Sequence, residues 1–264
     1  MEQLSAPTLR TEPRPDNVTG VPSRRHRRRA LRLHRRHVET VVRVFEAPDT
    51  GRRLILVGTM HLGDATYYDA LSTLLADLAA AGTAVHYERI RRADDAELTD
   101  EERHRLDGVK ASGYPVGLAA FVGALGLELQ GERLALPAGA RNVDVTDVEL
   151  LRALGWDRYR RLVEPTAVTI DDRAAPLARP AFRFLLKHGR TIDRFRALSA
   201  TNRQASRFMI GERNRVALAE ALRSSAQSDV ALVWGAAHLP GLARELRRHG
   251  YRLRAERWLQ VCVL

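Results

Sequence analysis

Apolar residues fall along this chain in two rhythms. Five short runs, Val41-Val-Arg-Val-Phe45, Leu54-Ile-Leu-Val57, Ala84-Val-His-Tyr-Glu88, Arg141-Asn-Val-Asp-Val145 and Val230-Ala-Leu-Val-Trp234, have β-strand composition and length. Between them the spacing turns helical. Leu71, Leu74, Leu75 and Leu78 make one apolar stripe that begins near Tyr68 and stops at Gly82. Thr99 with Glu102 predicts a capping box at the head of a charged helix, and Thr146 or Asp147 caps the helix after the fourth strand. Further helices are expected over Pro176–Leu198, Ala205–Ser224 and Leu239–Arg248, and the chain closes on a long, bent strand from Tyr251 to Leu264.

Two segments repeat this order. Strand, Gly58-x-x-His61, helix, Gly82, strand and Glu88 in the first half match strand, Gly235-x-x-His238, helix, Gly250, strand and Glu256 in the second. The pattern predicts an α/β fold, a central mixed sheet flanked by helices, with two pseudo-repeated strand–GxxH–helix–strand halves. Their two histidines are expected at neighbouring strand ends.

Composition narrows the class. With 45% hydrophobic and 28% charged residues over 264 positions, one ordinary globular domain is expected. The single cysteine, Cys262, excludes an internal disulfide framework and sits in an apolar run, which suits packing better than nucleophilic chemistry. No run approaches the ~18 apolar residues of a membrane span. The longest uncharged run, Ala111–Leu127, contains four glycines and a proline. No apolar core of a secretory signal follows the N-terminal basic residues either, so a cytoplasmic location is expected.

The net charge of +11 belongs mostly to one place. Eight arginines and no acid lie between Arg24 and His37, leaving +3 for the rest of the chain. Residues 1–39 are therefore expected to form a disordered basic tail, and 40–264 the folded domain. Through Arg24–Arg36 that tail could touch nucleic acid or an anionic surface weakly and without sequence preference.

The chemistry gathers at the strand ends. Glycine at the end of a buried strand permits a sharp turn and close approach of a ligand, and the following histidine reaches the rim where open α/β sheets bind their ligands. A single Gly-x-x-His is common by chance; two that each end a buried strand and open a helix point to a shared site. Glu88 should reach the same rim. His86 shares its strand face by alternation but lies deeper, as a core histidine would. Arg213 sits on a stripe with Met209, Val216 and Ala219, and an arginine on an apolar face needs a carboxylate, a polar site or a path to solvent. Asp144 raises the same question with opposite sign. Histidines and carboxylates on one rim fit zinc or another first-row metal with an open position, and hydrolysis is the natural reaction. Glu88 could instead be the general base, with Arg213 stabilising an oxyanion.

Leu56-Val-Gly-Thr-Met-His61, the glutamate of Val85-His-Tyr-Glu88, the Glu212-Arg-Asn214 helix and Val233-Trp-Gly-Ala-Ala-His-Leu-Pro-Gly241 together resemble the TraB, PrgY, GumN and Tiki family, which is related to the ChaN and erythromycin-esterase folds. The resemblance runs from about Val41 to the C-terminus. It implies an α/β fold and, for the Tiki branch, metal-dependent peptidase activity, so cleavage of a peptide or amide bond in a peptide or small-molecule substrate is expected. His61, Glu88, Arg213 and His238 would be the functional set. His61, Glu88, His238 and Asp144 would be ligands for a divalent ion such as Mn, Co or Zn. Other relatives look like peptide-pheromone regulators, so a binding protein without turnover is the reading from a different class, and a metal-free histidine esterase is a third.

Overall fold

A computed structural model describes residues 30–109, 122–163, 175–196 and 207–264. In chain order the strands are β1 (Leu31–Leu33), β2 (His37–Glu46), β3 (Arg53–Thr59), β4 (Leu62–Gly63), β5 (Ala84–Tyr87), β6 (Glu128–Leu129), β7 (Arg141–Asn142), β8 (Val230–Gly235) and β9 (Arg252–Val263). The helices are α1 (Ala65–Ala80), α2 (Asp100–Gly108), the single turn α3 (Gln130–Arg133), α4 (Asp147–Leu154), α5 (Trp156–Val163), α6 (Ala175–Arg196), α7 (Arg213–Ser224) and α8 (Leu239–Arg248). A π-helical turn, Arg207–Glu212, leads into α7. The expected capping box is made at Thr99 with Glu102, and of the two residues expected to cap the next helix it is Thr146 that does so, in a second box with Glu149.

Seven strands form one mixed sheet. β9 pairs along all of β2 from His37 to Glu46, so β1 and β3 share the other edge of β2, at Val38–Thr40 and Val42–Glu46. Beyond β3 come β8, β5 and β7, all parallel to it. The bend expected in the last strand appears as two irregularities in its register with β2.

The sheet is covered on both faces. Ile55, Val57, Val85, Ala231 and Val233 pack against Tyr67, Tyr68, Leu71 and Leu75 of α1 and Phe182 of α6. The alternate residues Leu54, Leu56, Leu232 and Trp234 pack against Ala217 and Leu218 of α7 and Leu239, Leu242 and Leu246 of α8. A third cluster joins α2, α4 and α5 through Leu106, Val148, Leu151 and Tyr159. Buried on both sides, β3 and β8 must read as unbroken apolar runs, and they do.

The repeated halves are visible as connections. From β3 the chain crosses through α1 on one face to β5, passing beyond β8. From β8 it crosses through α8 on the other face to β9, passing beyond β3 and β2. The two crossovers leave adjacent parallel strands in opposite directions, which makes the gap between the carboxyl ends of β3 and β8 the switch point where sheets of this kind bind ligands.

Three expectations need correction. The sheet begins before residue 40: Ala30 is fully buried, Leu31–Leu33 pairs with β2, and β2 itself starts at His37. The basic residues hid this because Arg32 alternates with apolar Leu31 and Leu33 as an edge strand allows. Residues 1–29 lie outside the described residues, as does 111–121 of the Ala111–Leu127 run. β7 is only two residues long, so Asp144 stands beyond the strand's end. On α7 the buried face is Arg213, Asn214, Ala217, Leu218 and Ala221, while Ala219, expected on the arginine's stripe, is exposed. Among the described residues no helix is long and apolar enough to cross a membrane.

Candidate active site

β3 and β8 deliver the two motifs side by side. Thr59 lies opposite Gly235, and Ala236 N–H donates to Thr59 O at 2.8 Å, so the pairing continues into the turn. Both glycines are needed for close approach. A Cβ on Gly58 would stand 2.9 Å from both the Val41 carbonyl and a Leu239 methyl. One on Gly235 would stand 3.1 Å from Glu88 Oε2. The histidines then diverge in environment. His238, just ahead of α8, is buried, with 4% of its surface exposed. His61 is exposed, and its carbonyl accepts from Gln130 N–H at 2.9 Å.

Glu88 follows β5 and continues its ladder through a bond from its N–H to Val233 O. Strand alternation turns its side chain to the α7 face. There Oε2 accepts from Gly235 N–H at 2.5 Å, and Oε1 accepts from Arg213 Nη2 at 2.8 Å. Arg213 also donates from Nε and Nη2 to both Asp144 oxygens, at 2.9 and 2.6 Å. Asp144 further accepts from Val145 N–H, so its carboxylate is occupied in holding the guanidinium. Burial pushes the Glu88 carboxyl up, but the hydrogen bond and charge of His238, the charge of Arg213 and the Gly235 N–H outweigh it and hold the group down at about 2. Burial works against the charge on Arg213 too, and Asp144 and Glu88 reverse it, raising its pKa.

The residue missed from sequence is Asn214. Its Nδ2 donates to the His238 carbonyl at 3.2 Å, which turns its Oδ1 toward His238 Nδ1, 2.7 Å away. An amide oxygen only accepts, so Nδ1 carries a hydrogen and Nε2 is left to face the cluster, as an acceptor when the ring is neutral and as a donor when it carries a second proton. That nitrogen stands 3.4 Å from Glu88 Oε1. With the imidazole neutral, two acceptors face each other in a cluster where one arginine meets two carboxylates, a net charge of −1. A proton or a cation between them completes the electrostatics. The signal for Asn214 was its helical spacing from Ala217, Leu218 and Ala221, which places a polar amide on an apolar face.

The fit to a metal is specific in part. Donors on one ion with bonds of ~2.0–2.2 Å stand about 3 Å apart, which suits His238 Nε2 and Glu88 Oε1. Among the described residues, the trio of such donors lying within 4.8 Å of one another is His34, His37 and Glu39, so neither His61 nor Asp144 joins this pair within that distance. His61 lies on the adjacent turn and supplies the next histidine of the rim.

No family model matches this chain, and no curated protein does either. The site is thus read from its own geometry.

His86 shares the strand face of Glu88, as alternation requires, but among the described residues neither ring nitrogen has a hydrogen-bond partner, and burial with the nearby charges of Arg141 and Arg223 holds it down at about 4. It is a neutral core residue. The Cys262 thiol, pushed up to about 12 by burial and the charge of Asp64, is unreactive packing. On the Asp144 side the surface opens into a groove of about 480 Å³ that includes Arg91, Arg141, Arg215 and Arg223 among its walls.

Proposed function

We propose that this protein is a metal-dependent hydrolase of the TraB, PrgY, GumN and Tiki type, cleaving a peptide or amide bond. One observation carries the reading: His238, turned by Asn214, aims Nε2 at the ionised Glu88 carboxylate 3.4 Å away, at the switch point of the sheet. A divalent Mn, Co or Zn ion held by His238 and Glu88 would acidify a water and polarise a carbonyl, with His61 standing on the next turn outside ligand distance of that pair. Asn214 holds the imidazole in its productive tautomer, as the outer partners of metal-binding histidines do. Arg213 keeps Glu88 ionised and aimed.

A metal-free histidine esterase is the second reading, favoured because an Asn-held imidazole is, when neutral, already a general base. Metal content of untagged, chelator-free protein, with turnover of a peptide library followed by mass spectrometry, separates the two. Stoichiometric metal, with cleavage that Mn, Co or Zn restores after chelation and that His238→Ala and His61→Ala abolish, supports the first. Cleavage indifferent to chelation but lost in His238→Ala supports the second. Ligand capture without cleavage in any metal sinks both and leaves a binding regulator.

A further inference from the structure

We infer that the β1–β2 hairpin carries a transition-metal site of its own, formed by His34, His37 and Glu39 and suited to an ion of the zinc or cobalt(II) kind. The argument starts from register. Leu33 pairs with Val38, and His34 N–H donates to His37 O at 2.9 Å, so the two histidines face each other across a turn centred on Arg35 and Arg36. Facing residues present their side chains on one side of a hairpin, and strand alternation adds Glu39 to that side.

The side chains meet as this predicts. The imidazole rings stack with centroids 4.2 Å apart and planes 16° from parallel. His34 Nε2 lies 2.8 Å from Glu39 Oε2, and His37 Nε2 lies 3.5 Å from Oε1. All three donors fall within 4.8 Å of one another. Ligands at ~2.0–2.2 Å from one tetrahedral ion stand about 3.3 Å apart, so the donors are near enough to share a cation once the stacked rings tilt to bring both in-plane lone pairs onto it. Two imidazoles and a carboxylate are a donor set that zinc uses, and the partial exposure of all three leaves a fourth position for water.

The surroundings select the ion. Arg35 and Arg36 in the turn repel any cation, which disfavours calcium or magnesium, whose binding rests on charge and oxygen donors. A borderline ion gains from imidazole nitrogen and tolerates the penalty. The turn is also held in place. Leu264 N–H donates to Arg36 O at 2.8 Å, Arg183 donates to the Arg35 carbonyl, and β9 pairs with β2 up to His37. An ion here would fasten β1 to β2, at the point where the basic segment joins the sheet.

The site shares no residue with the proposed active centre, so the experiment uses the full untagged chain in a His238→Ala background. Cobalt(II) is titrated by visible absorption and zinc by calorimetry, alongside thermal melts. The expected result is one equivalent bound with a tetrahedral cobalt spectrum and a zinc-dependent rise in Tm. His34→Ala with His37→Ala should abolish both, and Glu39→Gln should weaken binding more than about tenfold. The same spectrum and affinity in the double variant, or saturation only at millimolar metal, overturns the proposal.

Discussion

Glu88 is the residue on which the buried charges converge, and its ionisation has a signature. Its folded pKa of about 2 lies below the ordinary 4.5, so the folded state binds its proton less readily than the unfolded chain. The stability this contributes is fully present above pH 4.5 and is lost as pH falls toward 2. A shift of this size corresponds to on the order of 3 kcal/mol. Glu88→Gln has no such proton to take up. Urea melts at a series of pH values should therefore show a shallower loss of stability for the variant between pH 4.5 and 2. Equal slopes in that window would mean that Glu88 is not ionised by its partners in the fold.

At the scale of elements, β1 shows how much a three-residue strand can matter. Ala30 is fully buried against the α7 and α8 face, Leu31 packs against both sheet faces, and Arg32 lies over the Trp258 ring at 3.8 Å. Burying a leucine-sized side chain contributes about 1.5–3 kcal/mol. A chain starting at Val38 should therefore melt several degrees below a chain starting at Ala30. The chain starting at Ala30 should match the full length within about two degrees. Identical melting curves for the two truncations would show that β1 adds nothing.

At the scale of the molecule, Arg213 ties together parts of the chain far apart in sequence: Asp144 beyond β7, Glu88 beyond β5 and, through Glu88, the Gly235 turn after β8. Removing one partner of a buried pair leaves an uncompensated charge and costs about 3–5 kcal/mol. Arg213→Met leaves two carboxylates in that condition, so its denaturation midpoint should fall sharply at neutral pH. Adding Asp144→Leu removes one of them and should recover part of the loss, since Glu88 keeps the Gly235 N–H and His238. A double variant less stable than the single would argue against charge as the cause.

Much of this was legible in the chain because it is local physics. Buried strands must be apolar throughout, hence Leu54–Val57 and Val230–Trp234; a reciprocal cap satisfies a helix head, hence Thr99 with Glu102, and Thr146 marks the next helix start. Alternation alone set Glu88 and His86 on one face, and the two Gly-x-x-His motifs marked the ends of strands that turned out to be neighbours. Long-range pairing decided the rest. Nothing local says that β9 returns to β2 while β5 lies beyond β8, and so Glu256, the counterpart of Glu88 in the repeat, pairs with Arg43 away from the site. Nor could periodicity tell that His238 is buried and oriented by Asn214 while His61 faces outward. Those differences arise from which helix covers which strand end, and a helix α7 that meets β8 and α8 only after folding supplies the amide that chooses the tautomer.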